Sequence, residues 1–282
     1  MIDLQERIIR EVLREGSQKL KDSETPWLDA TVLLASLLKC SREKLLASYP
    51  ERLEEELFHS FMDLIEKRRS GHPVAYLTGS KEFFGRSFFV EQGILCPRPD
   101  TEVLIEAALD QIERRGYRRI HDLCAGSGCI ALTLALENSE LRVSASDISS
   151  TSESVFEKNR NNLCAGNVKF RLASLLKGLE GPLDLIVSNP PYLTTVETED
   201  RMDQNWREPA LALDGGEDGL DLIREIIRDA PLLLNKKGML MMEADPRQMD
   251  EMERLMGAAG FDKIKRVQDL ASHERVIQGE IP

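Results

Sequence analysis

The hydrophobic pattern changes character along the chain. Through the first seventy residues it is helical. Ile8, Ile9, Val12 and Leu13 mark one apolar stripe, and Asp3 and Glu6 are spaced like a capping box ahead of it. Leu28 to Leu38 read as a more buried helix behind Pro26, Ser41 as the cap of a short third helix, and Leu53 to Ile65 as a fourth. Glu66-Lys67-Arg68-Arg69, followed by Gly71 and Pro73, ends that run. Residues 74–96 alternate and carry Gly79, Gly85 and Gly93, which predicts a β-hairpin linker. A helix from Asp100 then leads into a region of apolar strands at 118–123, 141–146, 167–172 and 183–188. A polar stretch to about residue 217 lacks periodicity. Loops of that length are usually functional, and Trp206, Glu208 and Pro209 suit a substrate-facing lid. Met239 to Met242 read as a fifth strand and Gln248 to Ala259 as a helix. Phe261–Val267 and Glu274–Gln278 read as a closing antiparallel pair. The expected architecture is α/β. A doubly wound, seven-stranded, mostly parallel sheet (98–282) follows a small all-helical domain (1–72) and a linker (73–97).

Two short segments in the sheet region carry chemistry. The first is Asp122-Leu123-Cys124-Ala125-Gly126-Ser127-Gly128, between a strand and the apolar helical run that begins at Ile130. Strand, Gly-rich turn and helix form the opening unit of a nucleotide-binding fold, and glycine permits both the tight turn and close approach to a ligand. Asp147 ends the next strand 21 residues beyond Gly126, close to the offset expected for an acid that binds ribose hydroxyls. A third fingerprint glycine is missing, and no Lys-Ser/Thr follows the loop, which argues against NAD and ATP. S-adenosylmethionine has a ribose and an adenine but no phosphate, and fits best. The plain alternative is a tight turn with a capping Asp.

The second segment is Asn189-Pro190-Pro191-Tyr192, directly after Leu185-Ile186-Val187. Two prolines stiffen the corner, and a residue preceding proline is pushed into extended geometry, so Asn189 should project from the strand end. The Asn189 carboxamide oxygen and the Pro190 carbonyl offer two acceptors, and Tyr192 adds a flat wall. That set suits a planar –NH2 group, of an amide or of a base. In sheet order 3-2-1-4-5 the chain reverses between strands one and four, so Gly126 and Asn189 should face one crevice. The simpler alternative is a Pro-Pro turn that only closes a strand.

Beyond these segments, the chain resembles the HemK/PrmC family of protein-glutamine N5-methyltransferases. The likeness runs through Leu28-Asp29, Pro73 to Gly79, Glu82-Phe83-Phe84-Gly85 and Pro97-Arg98-Pro99-Asp100-Thr101-Glu102. It continues through Asp122 to Gly128, Asp147-Ile148-Ser149, Ser188 to Tyr192, Glu208 to Leu211, Asp218 to Asp221 and Arg275-Val276-Ile277. The resemblance implies a Rossmann-like methyltransferase sheet and methylation, with S-adenosylmethionine, of the Gly-Gly-Gln glutamine of class I peptide chain release factors. It implies Asn189, Pro190 and Tyr192 as catalytic residues. It further implies Asn189, Pro190, Pro191 and Tyr192 against substrate, and Cys124, Ala125, Gly126, Ser127, Gly128, Asp147, Ser174, Leu175 and Asn189 against cofactor. Arg98 and Glu102 are expected near the methionine end. The chain departs from the family pattern at Cys124-Ala125, at Ala173-Ser174 in place of a Gly-Asp pair, at the polar run Ser150 to Ser154, and at Glu243-Ala244-Asp245 in place of Glu-x-Gly. All of these bear on cofactor binding.

Composition narrows the alternatives. The net charge is −12, from 37 Lys/Arg and 49 Asp/Glu. An acidic surface repels phosphate backbones, which disfavours a nucleic-acid base as the acceptor and favours a protein. The first seventy residues hold 12 Lys/Arg against 14 Asp/Glu, so the added domain is not basic either. A nucleic-acid amino-methyltransferase and a non-catalytic cofactor-binding relative remain the rivals. Five cysteines (40, 96, 124, 129, 164) form no Cys-x-x-Cys pair, so reduced thiols are expected, with no metal site. The acidic start is unlike a signal peptide and no apolar run reaches membrane-spanning length. A cytoplasmic monomer is expected, with no membrane partner.

Overall fold

The computed structural model describes residues 7–204 and 206–282. The capping box expected at Asp3 and Glu6 lies outside the described residues. The chain forms two compact units, Met1–Ser80 with Asp203–Arg207, and Lys81–Met202 with Glu208–Pro282.

The first unit is helical: α1 (Ile9–Lys19), α2 (Pro26–Leu37), α3 (Arg42–Ala47), α4 (Glu55–Arg69) and α5 (Val74–Thr78). Val12, Leu13, Leu33, Leu34, Phe61 and Ile65 make its core. A Cβ at Gly16 would lie 2.7 Å from the Phe61 ring, so glycine is what lets α1 close onto α4. Asp29, in the first turn of α2, accepts hydrogen bonds from Ser23 Oγ (2.8 Å), Thr25 Oγ1 (2.9 Å) and Arg68 Nε (2.7 Å). It thereby ties the start of α2 to the end of α4. The segment expected to be wholly hairpin opens instead with α5. Pro73 precedes this single helical turn, and Gly79, at φ +69°, closes it in the left-handed region. The hairpin is shorter: β1 (Ser80–Phe83) and β2 (Arg86–Phe89), joined through Phe84 and Gly85, both at positive φ.

The second unit runs α6 (Glu102–Arg115), β3 (Arg119–Leu123), α7 (Cys129–Glu137), β4 (Arg142–Asp147), α8 (Ser150–Asn162), β5 (Lys169–Leu172) and β6 (Leu183–Ser188). It continues with α9 (Thr195–Asp203), α10 (Asp221–Asp229), β7 (Leu234–Glu243), α11 (Met249–Ala258), β8 (Asp262–Gln268) and β9 (Glu274–Glu280). The sheet order is β5-β4-β3-β6-β7-β9-β8. Pairing is parallel from β5 through β7, and β9 is antiparallel to both its neighbours. This is the doubly wound sheet expected, with reversal between β3 and β6 and the last strand antiparallel. Along β7, Met239 and Met241 face one buried cluster while Leu240 and Met242 face the other. Burial on both faces explains why the strands read as continuous apolar runs.

Two further helices lie where none was expected. α9 occupies the stretch read as an unpatterned loop. Its start is a capping box: Thr194 Oγ1 accepts from Glu197 N–H (3.1 Å), and Glu197 Oε2 accepts from Thr194 N–H (3.0 Å). α10 follows Asp218-Gly219-Leu220 and buries Ile223, Ile226 and Ile227. No helix among the described residues is long and apolar enough to cross a membrane.

Candidate active site

The crevice forms where β3 and β6 end side by side. After Leu123 the chain turns through Cys124 (φ +57°), Gly126 (φ +52°) and Gly128 (φ +81°) into α7. Three hydrogen bonds set this loop: Ala125 N–H to the Ser146 carbonyl (3.1 Å), Gly126 N–H to Asp147 Oδ2 (2.9 Å) and Gly128 N–H to the Ala125 carbonyl (2.7 Å). The second Asp147 oxygen accepts from Ser149 N–H at 2.9 Å. Each carboxylate oxygen keeps a lone pair for a further donor, such as a ribose hydroxyl. Asp122, fully buried, accepts from Ala131 N–H (3.0 Å) in the first turn of α7. Burial holds its pKa well above the usual carboxylate range.

On the facing side, Ser188 Oγ donates to the Leu123 carbonyl (2.9 Å) and locks the two strand ends together. Asn189 Nδ2 donates to Thr101 Oγ1 at 3.1 Å. Glu243, at the end of β7, is buried. Burial pushes its pKa up to about 7. No hydrogen bond to the Pro190 carbonyl is found among the described residues. Tyr192 is half-buried beside the Leu220 and Met242 cluster, and burial raises its hydroxyl to about 12. Its carbonyl accepts from Gln248 Nε2 (2.9 Å).

Between these two corners lies a crevice open to solvent. Of the residues named from sequence, Cys124, Gly126, Asp147, Ser174, Leu175, Asn189 and Pro191 line it. Ala125, Ser127 and Gly128 are buried and shape the loop without lining the crevice, and Pro190 and Tyr192 also lie outside the lining. Arg98 and Glu102 lie outside it too. Glu102 Oε1 accepts from Phe84 N–H (2.9 Å), and Arg98 pairs with the buried Glu208. Glu208 Oε1 also accepts from Cys96 N–H (2.8 Å). It thus fastens the segment whose next residues, Pro209, Leu211 and Ala212, wall the crevice. Pro209 belongs to the segment expected as a lid, whereas sequence reasoning missed Leu211 and Ala212 as well as Ile94, Leu95, Ile148, Ser149, Ser152 and Leu222. The polar run after Asp147 carried a signal. Ser149 caps α8, and Ser149 and Ser152 line the crevice. No Lys, Arg or His is among the lining residues. Apolar walls, one acid and a Cβ-free approach at Gly126 suit a nucleoside without phosphate, and an acid suits a cationic one.

Residues 11–79 match the family model described as PrmC N-terminal domain, and residues 99–213 match Methyltransferase small domain. A protein of Clostridium acetobutylicum named release factor glutamine methyltransferase is 35% identical over 95% of this chain and 97% of its own length. One of the same name from Rhodopirellula baltica is 37% identical over 91% of this chain and 90% of its own. Among solved structures, a methyltransferase from Pyrococcus furiosus shares the fold at TM-score 0.54 and 15% identity, over 78% of this chain and 98% of that one. A T. thermophilus 16S rRNA methyltransferase in complex with AdoMet and guanosine also has TM-score 0.54, at 19% identity, over 72% and 50% of the two chains. With relatives of this identity spanning nearly its full length, the chain belongs to the release factor glutamine methyltransferase family.

Proposed function

We propose that this protein methylates the side-chain amide nitrogen, N5, of the glutamine in the Gly-Gly-Gln motif of class I release factors, with S-adenosylmethionine as methyl donor. One observation carries the site assignment: the Gly126–Asp147 corner and the Asn189 corner line the same crevice. One holds a nucleoside and the other accepts from an –NH2 group. The acidic balance of the chain, −12, supports a protein substrate over a nucleic acid. Helical residues 1–72 serve as the substrate-recognition domain in this reading, 73–97 as linker and 98–282 as the methyltransferase domain. The enzyme works as a monomer in the cytoplasm.

An amide nitrogen is a poor nucleophile because its lone pair is delocalised into the carbonyl. S-adenosylmethionine, when bound, would supply an electrophilic sulfonium methyl; as the amide nitrogen gains the methyl, the sulfur keeps the bonding pair as a neutral thioether and the nitrogen releases one proton to solvent. Asn189 Oδ1 accepts one N–H of the glutamine and the Pro190 carbonyl the other. This fixes the direction of the nitrogen, and orientation of this kind is worth several orders of magnitude in rate. The same two oxygens favour the positive charge that builds on the nitrogen. Asp147 holds the ribose. Leu175, Ile148 and Leu211 give the base an apolar bed that excludes water.

The test is transfer from methyl-labelled S-adenosylmethionine to intact release factor, with the modified residue located by mass spectrometry. Label should appear on the Gly-Gly-Gln glutamine. Asn189→Ala should cut transfer at least ~100-fold while leaving cofactor affinity largely intact. Asp147→Ala should do the reverse. Label on RNA instead of release factor would overturn the substrate, and an Asn189→Ala enzyme at native rate would overturn the acceptor.

A further inference from the structure

The Asn189–Tyr192 corner cannot hold itself. Pro190 and Pro191 bring no N–H, and the ladders that fix β6 end at Ser188. Its direction must therefore be imposed from outside, and part of that support comes from residues that do not line the crevice. Leu193 N–H donates to the Leu213 carbonyl (2.9 Å), and Gly215 N–H donates to the Leu193 carbonyl (2.8 Å). A Cβ at Gly215 would lie 2.7 Å from the Pro191 carbonyl oxygen, and one at Gly219 would lie 2.3 Å from that of Tyr192. The loop 214–219 thus lies directly against the corner, with glycine where the two backbones touch. One side chain joins loop and corner. Gln248 ends the short 3-10 helix Pro246–Gln248, just before α11, and is buried. Its Nε2 donates to the Tyr192 carbonyl (2.9 Å) and the Gly219 carbonyl (3.1 Å), with the Asp218 carbonyl at 3.4 Å. Its Oε1 accepts from Asp245 N–H (3.3 Å). An amide has donors at one end and an acceptor at the other, so these partners fix which way it points.

We propose that Gln248 is a positioning residue that sets the direction of the acceptor corner by clamping the Tyr192 carbonyl to the Gly219 turn. The proposal rests on the reading of Asn189 and the Pro190 carbonyl as acceptors for the glutamine amide.

Gln248 does not line the crevice, so it acts only through the corner. Peptide planes are rigid, and Pro190 and Pro191 have fixed φ. A shift at Tyr192 is therefore carried back to the Pro190 carbonyl and not absorbed between them. Among the described residues, Gln248 makes no hydrogen bond to the Gly126–Asp147 corner at the ends of β3 and β4. Loss of the clamp should misdirect the glutamine nitrogen and leave cofactor binding unchanged.

The deciding experiment measures kcat and KM for methyl transfer to intact release factor, on the full-length protein. S-adenosylmethionine affinity by calorimetry and a melting curve are taken beside them. Gln248→Met keeps the length of the side chain and removes both ends of the amide. Gln248→Glu keeps its shape and removes the donors. Both should lose at least ~10-fold in kcat, with S-adenosylmethionine affinity within about twofold of native. Gly219→Ala presses on the same junction, its Cβ 2.6 Å from Gln248 Nε2, and should show the same split. Gly116→Ala controls for the left-handed backbone, at φ +70° against +74°, because its Cβ meets nothing within 4 Å. It should keep native kcat. A folded Gln248→Met enzyme with native kcat overturns the proposal. So does a loss of kcat matched by a loss of cofactor affinity, which marks general damage to the fold. Failure of both Gln248 variants to fold overturns it too, since Gln248 would then hold the fold and not direct the corner. Asn189→Ala separates the two levels. Full activity there removes the acceptor reading itself, whereas an inactive Asn189→Ala beside a native-like Gln248→Met removes only the role of Gln248.

Discussion

Glu243 sits where a carboxylate is costly. Its Oε2 is buried without a hydrogen-bond partner, and its pKa stands at about 7 against an ordinary 4.5. The folded chain therefore holds a proton that the unfolded chain releases between those two values. Stability falls as pH rises through that window, and the full cost is present above it. Such a rise, at about 1.36 kcal/mol for each tenfold change in proton affinity, makes the cost on the order of 3 kcal/mol. His121 titrates in the opposite sense. Burial between Ser144 and Ser146 lowers its pKa to about 4, so its contribution is lost as pH falls below the ordinary 6.5. His121 is common to native and variant chains and cancels in their difference. Glu243→Gln should therefore melt a few degrees higher than native at pH 8 and close to native at pH 5. A variant that melts lower at pH 8 would mean that the ionised carboxylate is not a burden to the fold.

The turn from β3 to α7 contains two glycines with different duties. A Cβ at Gly128 would stand 2.5 Å from the fully buried Phe156 ring, at φ +81°. One at Gly126 would meet nothing within 4 Å, at φ +52°. Gly128→Ala should thus damage the fold, by about 2–4 kcal/mol from overpacking plus the left-handed backbone. Gly126→Ala should cost only about 1 kcal/mol yet weaken S-adenosylmethionine binding, because its methyl enters the crevice. Thermal unfolding and calorimetric titration on the two variants check this, and equal effects of both on stability and affinity would refute it. That loop was legible in the sequence, as were Asp147 and Asn189, because each motif is contiguous and sits at a strand end. β6 was read at its observed limits, since an apolar strand buried on both faces is an unbroken run. α9 was not, because it buries little beyond Thr198 and so shows no apolar stripe. Its Thr194-x-x-Glu197 cap was the signal available. Thr101 was read only as part of a family motif for another reason: it lies 88 residues from Asn189, and only the fold brings the two together.

At the scale of the whole chain, each unit carries its own hydrophobic core. That of the first unit is drawn from α1 to α4, with Val74 and Leu77 of α5 packed against it. Those of the second lie on the two faces of the sheet. Every residue lining the crevice belongs to the second unit, so cofactor binding should survive removal of the first. Specificity is a different matter. One glutamine side chain offers far less area than the roughly 800 Å2 per partner of a stable protein interface, so an intact release factor must be gripped elsewhere. The helical unit is on the same chain and is not needed to complete the sheet. A chain starting at Ser80, after α5 and not before it, avoids exposing Val74 and Leu77. We expect it to bind S-adenosylmethionine within about threefold of the full chain and to lose at least ~10-fold in kcat/KM on intact release factor. Short Gly-Gly-Gln peptides should be poor substrates for both forms, because neither can grip what the peptide lacks. Removal of the first unit also takes away the surroundings of Asp203–Arg207. A matched melting curve and cofactor affinity are therefore required before a loss of rate is assigned to recognition. If the shortened chain passes both controls and still methylates intact release factor at the native rate, the helical unit stabilises the enzyme and does not select its substrate.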